Sequence, residues 1–261
     1  MSDLHGKFVW YELMTTDTTA AAEFYTSVID WTTEDMSGGG MDYTVFNVVG
    51  AGRGVAGMMP IPDELKASGM PPNWTGYVAV DDVDAMAQAF VDNGGSVRRP
   101  PSDIPGVGRF SVVADPQGAV LIVFKPVPMD NPPPEPTMTP GFAGWNELNA
   151  ADGPSAFEFY SKVFGWTSFD KMDMGPMGTY QIFAQNGQMH GGMMTKTDDV
   201  PVPCWGYYFI VGDIDAAVDK VKAGGGSVIN GPMEVPDAWI IQCLDPQGAM
   251  FALTGPRMAS A

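Results

Sequence analysis

The sequence of 261 residues predicts an α+β fold of two tandem domains, each made of two strand–helix–three-strand units. Two observations predict it. The first is a duplication. Trp10-Tyr11-Glu12-Leu13, Asp17, Phe24-Tyr25 and Trp31 return as Trp145-Asn146-Glu147-Leu148, Asp152, Phe159-Tyr160 and Trp166, each displaced by 135 residues. One offset held over this many uncommon residues marks an internal repeat. The second is a break in composition. Pro126 to Pro140 carries seven prolines in fifteen residues and almost no large apolar side chain, the signature of an extended, semi-rigid linker. The boundaries that follow are 1–125, a linker at 126–141, and 142–261.

The elements can be justified in order. Phe8 to Met14 alternates as a half-buried strand does, with Phe8, Trp10, Glu12 and Met14 on one face. Asp17 is a helix N-cap, and the helix runs to about Ile29 with Ala21, Phe24, Tyr25 and Val28 on one side. Gly38 to Gly40 make a turn, Tyr43 to Val49 a strand rich in β-branched and aromatic residues, and Val55 to Met59 a shorter one. Pro60 to Asn73 reads as a connector. Tyr77 to Val80 opens the second unit as a strand, and Asp82 caps a helix that Gly94-Gly95 ends. Ser96 to Arg99, Phe110 to Ala114 and Ala119 to Lys125 complete it as strands, with Asp115-Pro116-Gln117-Gly118 as a turn. The second copy repeats these signals. Gly192-Met193-Met194 answers Gly57-Met58-Met59, Gly225-Gly226-Ser227-Val228 answers Gly94-Gly95-Ser96-Val97, and Asp245-Pro246-Gln247-Gly248 answers the turn. The offset drifts to 131 and 130 in the predicted loops, where insertions are tolerated.

Composition excludes several classes. A formal net charge of −18 repels phosphate backbones and anionic lipid, so neither nucleic acid nor membrane is an expected partner. Two cysteines, Cys204 and Cys243, make no CxxC pair and no disulfide framework. Cys243 lies in an apolar strand and reads as buried and inert. The opening residues lack an apolar signal-peptide core, and no apolar run reaches spanning length, so a cytoplasmic location is expected. Gly52-Arg53-Gly54-Val55-Ala56-Gly57 matches GxGxxG in form. Met58-Met59-Pro60 follows it and cannot open the helix that a phosphate site needs. His5 and His190 are the two histidines, and His190 reads as a surface-loop residue.

The Asp-capped helix carrying Phe-Tyr and Trp, the Asp81-Asp82-Val83-Asp84 helix start and the Asp-Pro-Gln-Gly turns, in this order and given twice, resemble the vicinal oxygen chelate superfamily. That family includes glyoxalase I, bleomycin-resistance proteins and extradiol dioxygenases. The resemblance covers roughly residues 8–125 and 142–254. It implies tandem glyoxalase-like domains, each of two βαβββ units with curved mixed sheets around a cleft. It also implies three positions per half for a metal ligand: Trp10, Thr75 and Ile122, then Trp145, Gly206 and Ala252. None of these residue types ligates a divalent metal well, so no metal and no cofactor are expected.

Alternation places Glu12 and Glu147 on the face of Trp10 and Trp145. A carboxylate beside an aromatic wall is a candidate general base, a holder of a cationic or hydroxylated ligand, or a structural acceptor. Glu12 and Glu147 are the catalytic candidates. Tyr77 and Tyr208 are expected on the same wall, as is one methionine from each of Met58-Met59 and Met193-Met194. The ligand-binding candidates are therefore Trp10, Thr75, Tyr77, Ile122, Met58, Trp145, Tyr208 and Met193. The expected function is metal-independent binding of a small, largely apolar organic molecule, by a monomer acting as a fused pseudo-dimer or by a homodimer. The alternatives are a lyase, isomerase or oxygenase of the same superfamily, metal-dependent or acid–base, or a partner-binding protein whose cleft is filled by its own side chains.

Overall fold

The computed structural model describes residues 2–38, 40–128 and 138–258. Most of the proline-rich linker lies outside the described residues. The first half runs β1 (Phe8–Thr15), α1 (Thr18–Ile29), β2 (Trp31–Asp35), β3 (Thr44–Val48), β4 (Gly54–Pro60), α2 (Asp63–Ala67), β5 (Asn73–Ala79), α3 (Val83–Asp92), β6 (Ser96–Ile104), β7 (Gly108–Ala114) and β8 (Val120–Pro126). The second runs β9 (Ala143–Ala150), α4 (Gly153–Phe164), β10 (Thr167–Asp173), β11 (Thr179–Gln185), β12 (Gln188–Thr195), β13 (Cys204–Ile210), α5 (Ile214–Ala223), β14 (Ser227–Val235), β15 (Ala238–Leu244) and β16 (Met250–Gly255). A 3-10 turn at Gly175–Met177 precedes β11. The strands form two mixed eight-stranded sheets with the same order in each half, β2-β3-β4-β1-β5-β8-β7-β6 and β10-β11-β12-β9-β13-β16-β15-β14. The fold is α+β, as expected. The expected connector at Pro60 to Asn73 holds the short helix α2, and β2 follows α1 where no strand was expected. β6 extends past Arg99 through Pro100 and Pro101, which an edge strand tolerates because proline removes only a donor the edge does not need.

Each βαβββ unit starts its helix in the same way. Asp17, Asp82, Asp152 and Asp213 are N-caps whose carboxylates accept from Ala20 N, Ala85 N, Ser155 N and Asp215 N. Each such cap contributes about 1 kcal/mol.

The chain divides into two compact units that do not follow the two halves. Unit one is Met1–Trp10, Thr75–Asn131 and Trp145–Gly206; unit two is Tyr11–Trp74, Pro132–Gly144 and Tyr207–Ala261. Each thus joins one βαβββ unit of the first half to one of the second. In unit two, α1 packs against α5, and the Phe24 ring lies over Gly226, where a Cβ would approach it to 2.9 Å. Tyr25 Oη donates to Asp245 Oδ2 at 3.0 Å and accepts from Trp74 Nε1 at 2.8 Å. The other oxygen of Asp245 accepts from Gln247 N and Ala249 N, holding the Asp-Pro-Gln-Gly turn. Unit one repeats this. Phe159 meets Phe90 edge-on at 5.1 Å, Tyr160 Oη donates to Asp115 Oδ2 at 3.1 Å, and Trp205 Nε1 donates to Tyr160 Oη at 3.2 Å. Burial raises the pKa of Tyr25 and of both aspartates, outweighing for the aspartates the backbone donors that favour the charge.

Aromatic residues dominate both cores. In unit two Trp31 meets Phe46 at 5.0 Å and Phe209 at 5.0 Å. In unit one Trp166 stacks on Phe183 at 4.3 Å. Each such pair adds about 0.5–1.5 kcal/mol beyond its buried area. Trp31 Nε1 also donates to Gly141 O, and Trp166 Nε1 to Gly6 O, both at 2.8 Å. The two indoles thereby tie down the residues that lead into the opening strand of the opposite half.

Candidate functional site

Glu12 and Glu147, the two carboxylates singled out by alternation, are both buried. In unit two Glu12 Oε2 accepts from Tyr43 Oη at 3.0 Å. Gly57 lies in register with Glu12 across the parallel β1–β4 pair, and a Cβ there would collide with the Tyr43 ring. In unit one Glu147 Oε2 accepts from Tyr180 Oη at 2.9 Å. Gly192 lies in register with Glu147, and a Cβ there would collide with Tyr180. The same glutamate, tyrosine and glycine therefore meet twice. In unit one the chain of donors is longer, because Trp145 Nε1 donates to Tyr180 Oη at 2.7 Å. Asn149 Nδ2 stands 3.5 Å from the second Glu147 oxygen.

Tyr43 and Tyr180 are functional candidates that the repeat did not reveal. They lie 137 residues apart, off the offset of 135 that marks the glutamates. The strand register supplies the correspondence that the offset hides, since each directly precedes the residue paired with Met58 or Met193 (Thr44 and Gln181).

Met58 and Met193 are fully buried, in register with Leu13 and Leu148. Neighbouring residues of a strand face opposite ways, so these methionines lie on the side away from the glutamates and pack the core. By the same alternation Met59, in register with Met14, and Met194, in register with Asn149, are the members of each pair on the glutamates' side.

The remaining candidates fall into two further clusters. In unit one Tyr77, Phe110, Ile122 and Phe124 form a buried apolar cluster, with Val9, Trp10, Ile104 and Val112 packed against it. Tyr77 meets Phe124 edge-on at 5.6 Å, and the Arg99 guanidinium lies 4.8 Å from the Phe110 ring. Thr75 is buried in this unit. In unit two Tyr208 Oη accepts from Gln242 Nε2 at 2.9 Å, and Gln242 Oε1 accepts from Asn230 Nδ2 at 3.1 Å.

The donor chemistry does not fit a divalent metal. Trp10, Ile122, Trp145, Gly206 and Ala252 offer no ligating side-chain atom, and Thr75 offers a neutral hydroxyl. Among the described residues no group of three or more His, Cys, Asp or Glu gathers as a metal site would.

His190 is not on a surface loop. It lies in β12 and is mostly enclosed, its Nε2 buried without a hydrogen-bond partner among the described residues. Burial, then the Lys7 charge, pulls its pKa down to about 4. Cys243 is buried as expected, its thiol pushed up to about 12 by burial. No helix among the described residues is long and apolar enough to cross a membrane.

Comparison with known proteins agrees with this architecture. The family model described as Glyoxalase/Bleomycin resistance protein/Dioxygenase superfamily matches residues 7–123 and 143–253. A Mycobacterium tuberculosis protein named "Putative glyoxylase CFP32" is 36% identical over 95% of this chain and 94% of its own. "Anthracycline biosynthesis protein DauV" of Streptomyces sp. (strain C5) is 32% identical over 97% of this chain and 94% of its own. Among solved structures, the Mn(II)-bound glyoxalase from Novosphingobium aromaticivorans superposes with a TM-score of 0.66 at 17% identity, covering 97% of this chain and 83% of that one. The 2,2',3-trihydroxybiphenyl 1,2-dioxygenase of Sphingomonas wittichii strain RW1 gives 0.67 at 14% identity, covering 96% and 90%. At those identities the likeness is one of fold.

Proposed function

Because the chain belongs to the Glyoxalase/Bleomycin resistance protein/Dioxygenase superfamily, we propose that it uses that scaffold to bind a small, largely apolar organic ligand without a metal. The observation that carries this reading is the glutamate–tyrosine pair built twice over a glycine. A buried carboxylate held by a phenol is a fixed acceptor in apolar surroundings, where a hydrogen bond to a ligand hydroxyl or amine counts for more than it does in water. Half-buried Trp10 and Trp145 supply aromatic surface, and apolar contact supplies affinity while a few polar groups set orientation. A relative named for anthracycline biosynthesis is compatible with an organic ligand of this kind.

Thermal shift and calorimetry against a panel of hydroxylated aromatic compounds test the proposal. Binding should be weakened about tenfold or more by Glu147→Gln or Glu12→Gln, with the melting temperature little changed. A large loss of stability with unchanged binding would make the glutamates structural, and a panel in which nothing binds would sink the reading.

A second reading, acid–base catalysis by the same glutamates, is favoured by the direct phenol-to-carboxylate bond, which gives a proton a path to Glu147. Turnover of a bound compound, lost in Glu147→Gln while binding persists, would select it.

A further inference from the structure

On strand β9, alternation puts Trp145 and Asn149 on the face of Glu147. Asn149 is buried, with 9% of its surface exposed. Its side chain makes one hydrogen bond among the described residues, the long one of 3.5 Å from Nδ2 to Glu147 Oε1. That contact fixes which way the amide faces, because a carbonyl oxygen turned toward the carboxylate would set lone pairs against a negative charge. Asn149 Oδ1 is left as the outer branch, with no donor to it among the described residues. The large majority of polar atoms enclosed to this degree are hydrogen-bonded, so an idle acceptor here points to a donor from outside the chain.

The repeat shows that this position is not polar by structural necessity. At the offset of 135, Asn149 answers Met14 and Met194 answers Met59. The strands hold both pairs in the same register, Met14 with Met59 and Asn149 with Met194. In unit two this pair beside Glu12 is therefore wholly apolar, and in unit one a primary amide replaces one of its members. A methionine fills such a place without any polar demand. An amide whose oxygen lacks a donor destabilises the fold instead. A residue that works against stability, at a position where its duplicate does without it, belongs to function.

We propose that Asn149 is a ligand-binding residue that sets the specificity of the Glu147 site: its carbonyl oxygen accepts a hydrogen bond from an N–H or O–H group on the apolar ring system bound there. This rests on the ligand-binding reading above and deepens it. Both glutamates keep their part in that reading. The Glu12 site takes an apolar ring beside its carboxylate and two methionines. The Glu147 site adds a second acceptor, and so rejects rings without a donor more strongly. Such a ring would strip water from the Asn149 oxygen and offer it no replacement.

The test uses the full chain and two bicyclic probes of one shape: indole, which carries an N–H, and benzofuran, which has an oxygen in its place and no donor. Isotope-labelled methionine methyl groups report by NMR which site is occupied, since Met194 lies beside Asn149 and Met59 beside Met14 on the face of Glu12. Titrations followed at Met194 should give indole about tenfold or more the affinity of benzofuran. Those followed at Met14 and Met59 should give a smaller ratio. Asn149→Leu keeps the size of the side chain and removes its oxygen, and Asn149→Met imports the first-half residue. Each should lower the ratio at Met194 about tenfold. The ligand-free Asn149→Leu protein should melt at the same temperature or higher, because an idle buried acceptor has gone. A structural asparagine would give the opposite, a lower melting temperature with an unchanged ratio, and that result overturns the inference. Equal affinity of the two probes at Met194, or a preference that survives both substitutions, also overturns it while leaving the ligand-binding reading intact. Failure of both probes to move Met194 at millimolar concentration overturns it too, and the wider panel then decides the reading it rests on.

Discussion

Gly192 and Gly57 are held as glycine by what stands over them. Each leaves room for a tyrosine ring that delivers its hydroxyl to a buried carboxylate. Gly192→Ala would drive a methyl group into Tyr180 and should cost about 1–3 kcal/mol, measured by urea unfolding, and Gly57→Ala should behave alike. A cost near zero would mean that the tyrosines move freely and hold nothing. His190 makes a second prediction at this scale. Its folded pKa of about 4 lies below the ordinary value of 6.5, so the folded state binds fewer protons than the unfolded one between them. Its contribution to stability is therefore present above pH 6.5 and lost as pH falls toward about 4. Asp115 and Asp245 run the other way: with folded pKa values raised, their contribution is greatest at low pH and declines as pH rises through those values. Melting temperature against pH should fall on acidification below 6.5, and His190→Gln should flatten that fall. An unchanged profile in the variant would assign the slope to other groups.

Helices and turns carry the link between distant parts of the sequence. Asp115 and Asp245 were legible as turn residues, and Phe24-Tyr25 and Phe159-Tyr160 as helix residues facing a core. That Tyr25 would find Asp245, and Tyr160 Asp115, was not legible, because periodicity assigns a residue to a face and not to a partner 220 or 45 residues away. Tyr25→Phe removes the donor from a buried carboxylate oxygen and should cost about 1–3 kcal/mol, with Tyr160→Phe alike. The paired change Tyr25→Phe with Asp245→Asn, measured as a double-mutant cycle, should show coupling of about 0.5–3 kcal/mol; strict additivity would deny the contact. The boundaries of β6 escaped sequence reading for a local reason. Pro100-Pro101 is a strong strand-breaking signal in general and a weak one at a sheet edge, and edge position is a property of the sheet rather than of the segment.

At the scale of the molecule, the duplication and the fold class were readable, and so was the shared face of Trp145 and Glu147, which meet at Tyr180. The interleaving of the halves into compact units was not, since nothing in a tandem repeat states whether a copy closes on itself or on its neighbour. Tyr43 and Tyr180 were missed because loops of different length shift them off the common offset. The interleaving has a measurable outcome. A fragment of residues 1–125 exposes the ring of Phe24, whose seat at Gly226 lies in the other half, and the fragment 142–261 exposes Phe159, whose neighbour Phe90 lies in the first. Each fragment alone should be unfolded or aggregated by circular dichroism, and mixing the two should restore the native spectrum. A fragment that folds alone would contradict it.

The indole bonds of Trp31 to Gly141 and of Trp166 to Gly6 give the linker a meaning of its own. Both reach across the halves, so a peptide bond cut between 126 and 141 would sever the chain without severing the structure. What the linker contributes is proximity. It holds the halves at an effective concentration on the order of millimolar, so that assembly does not depend on how many molecules are present. A protease-nicked chain should melt as the intact one does at high concentration, and its midpoint should fall with dilution while that of the intact chain stays fixed.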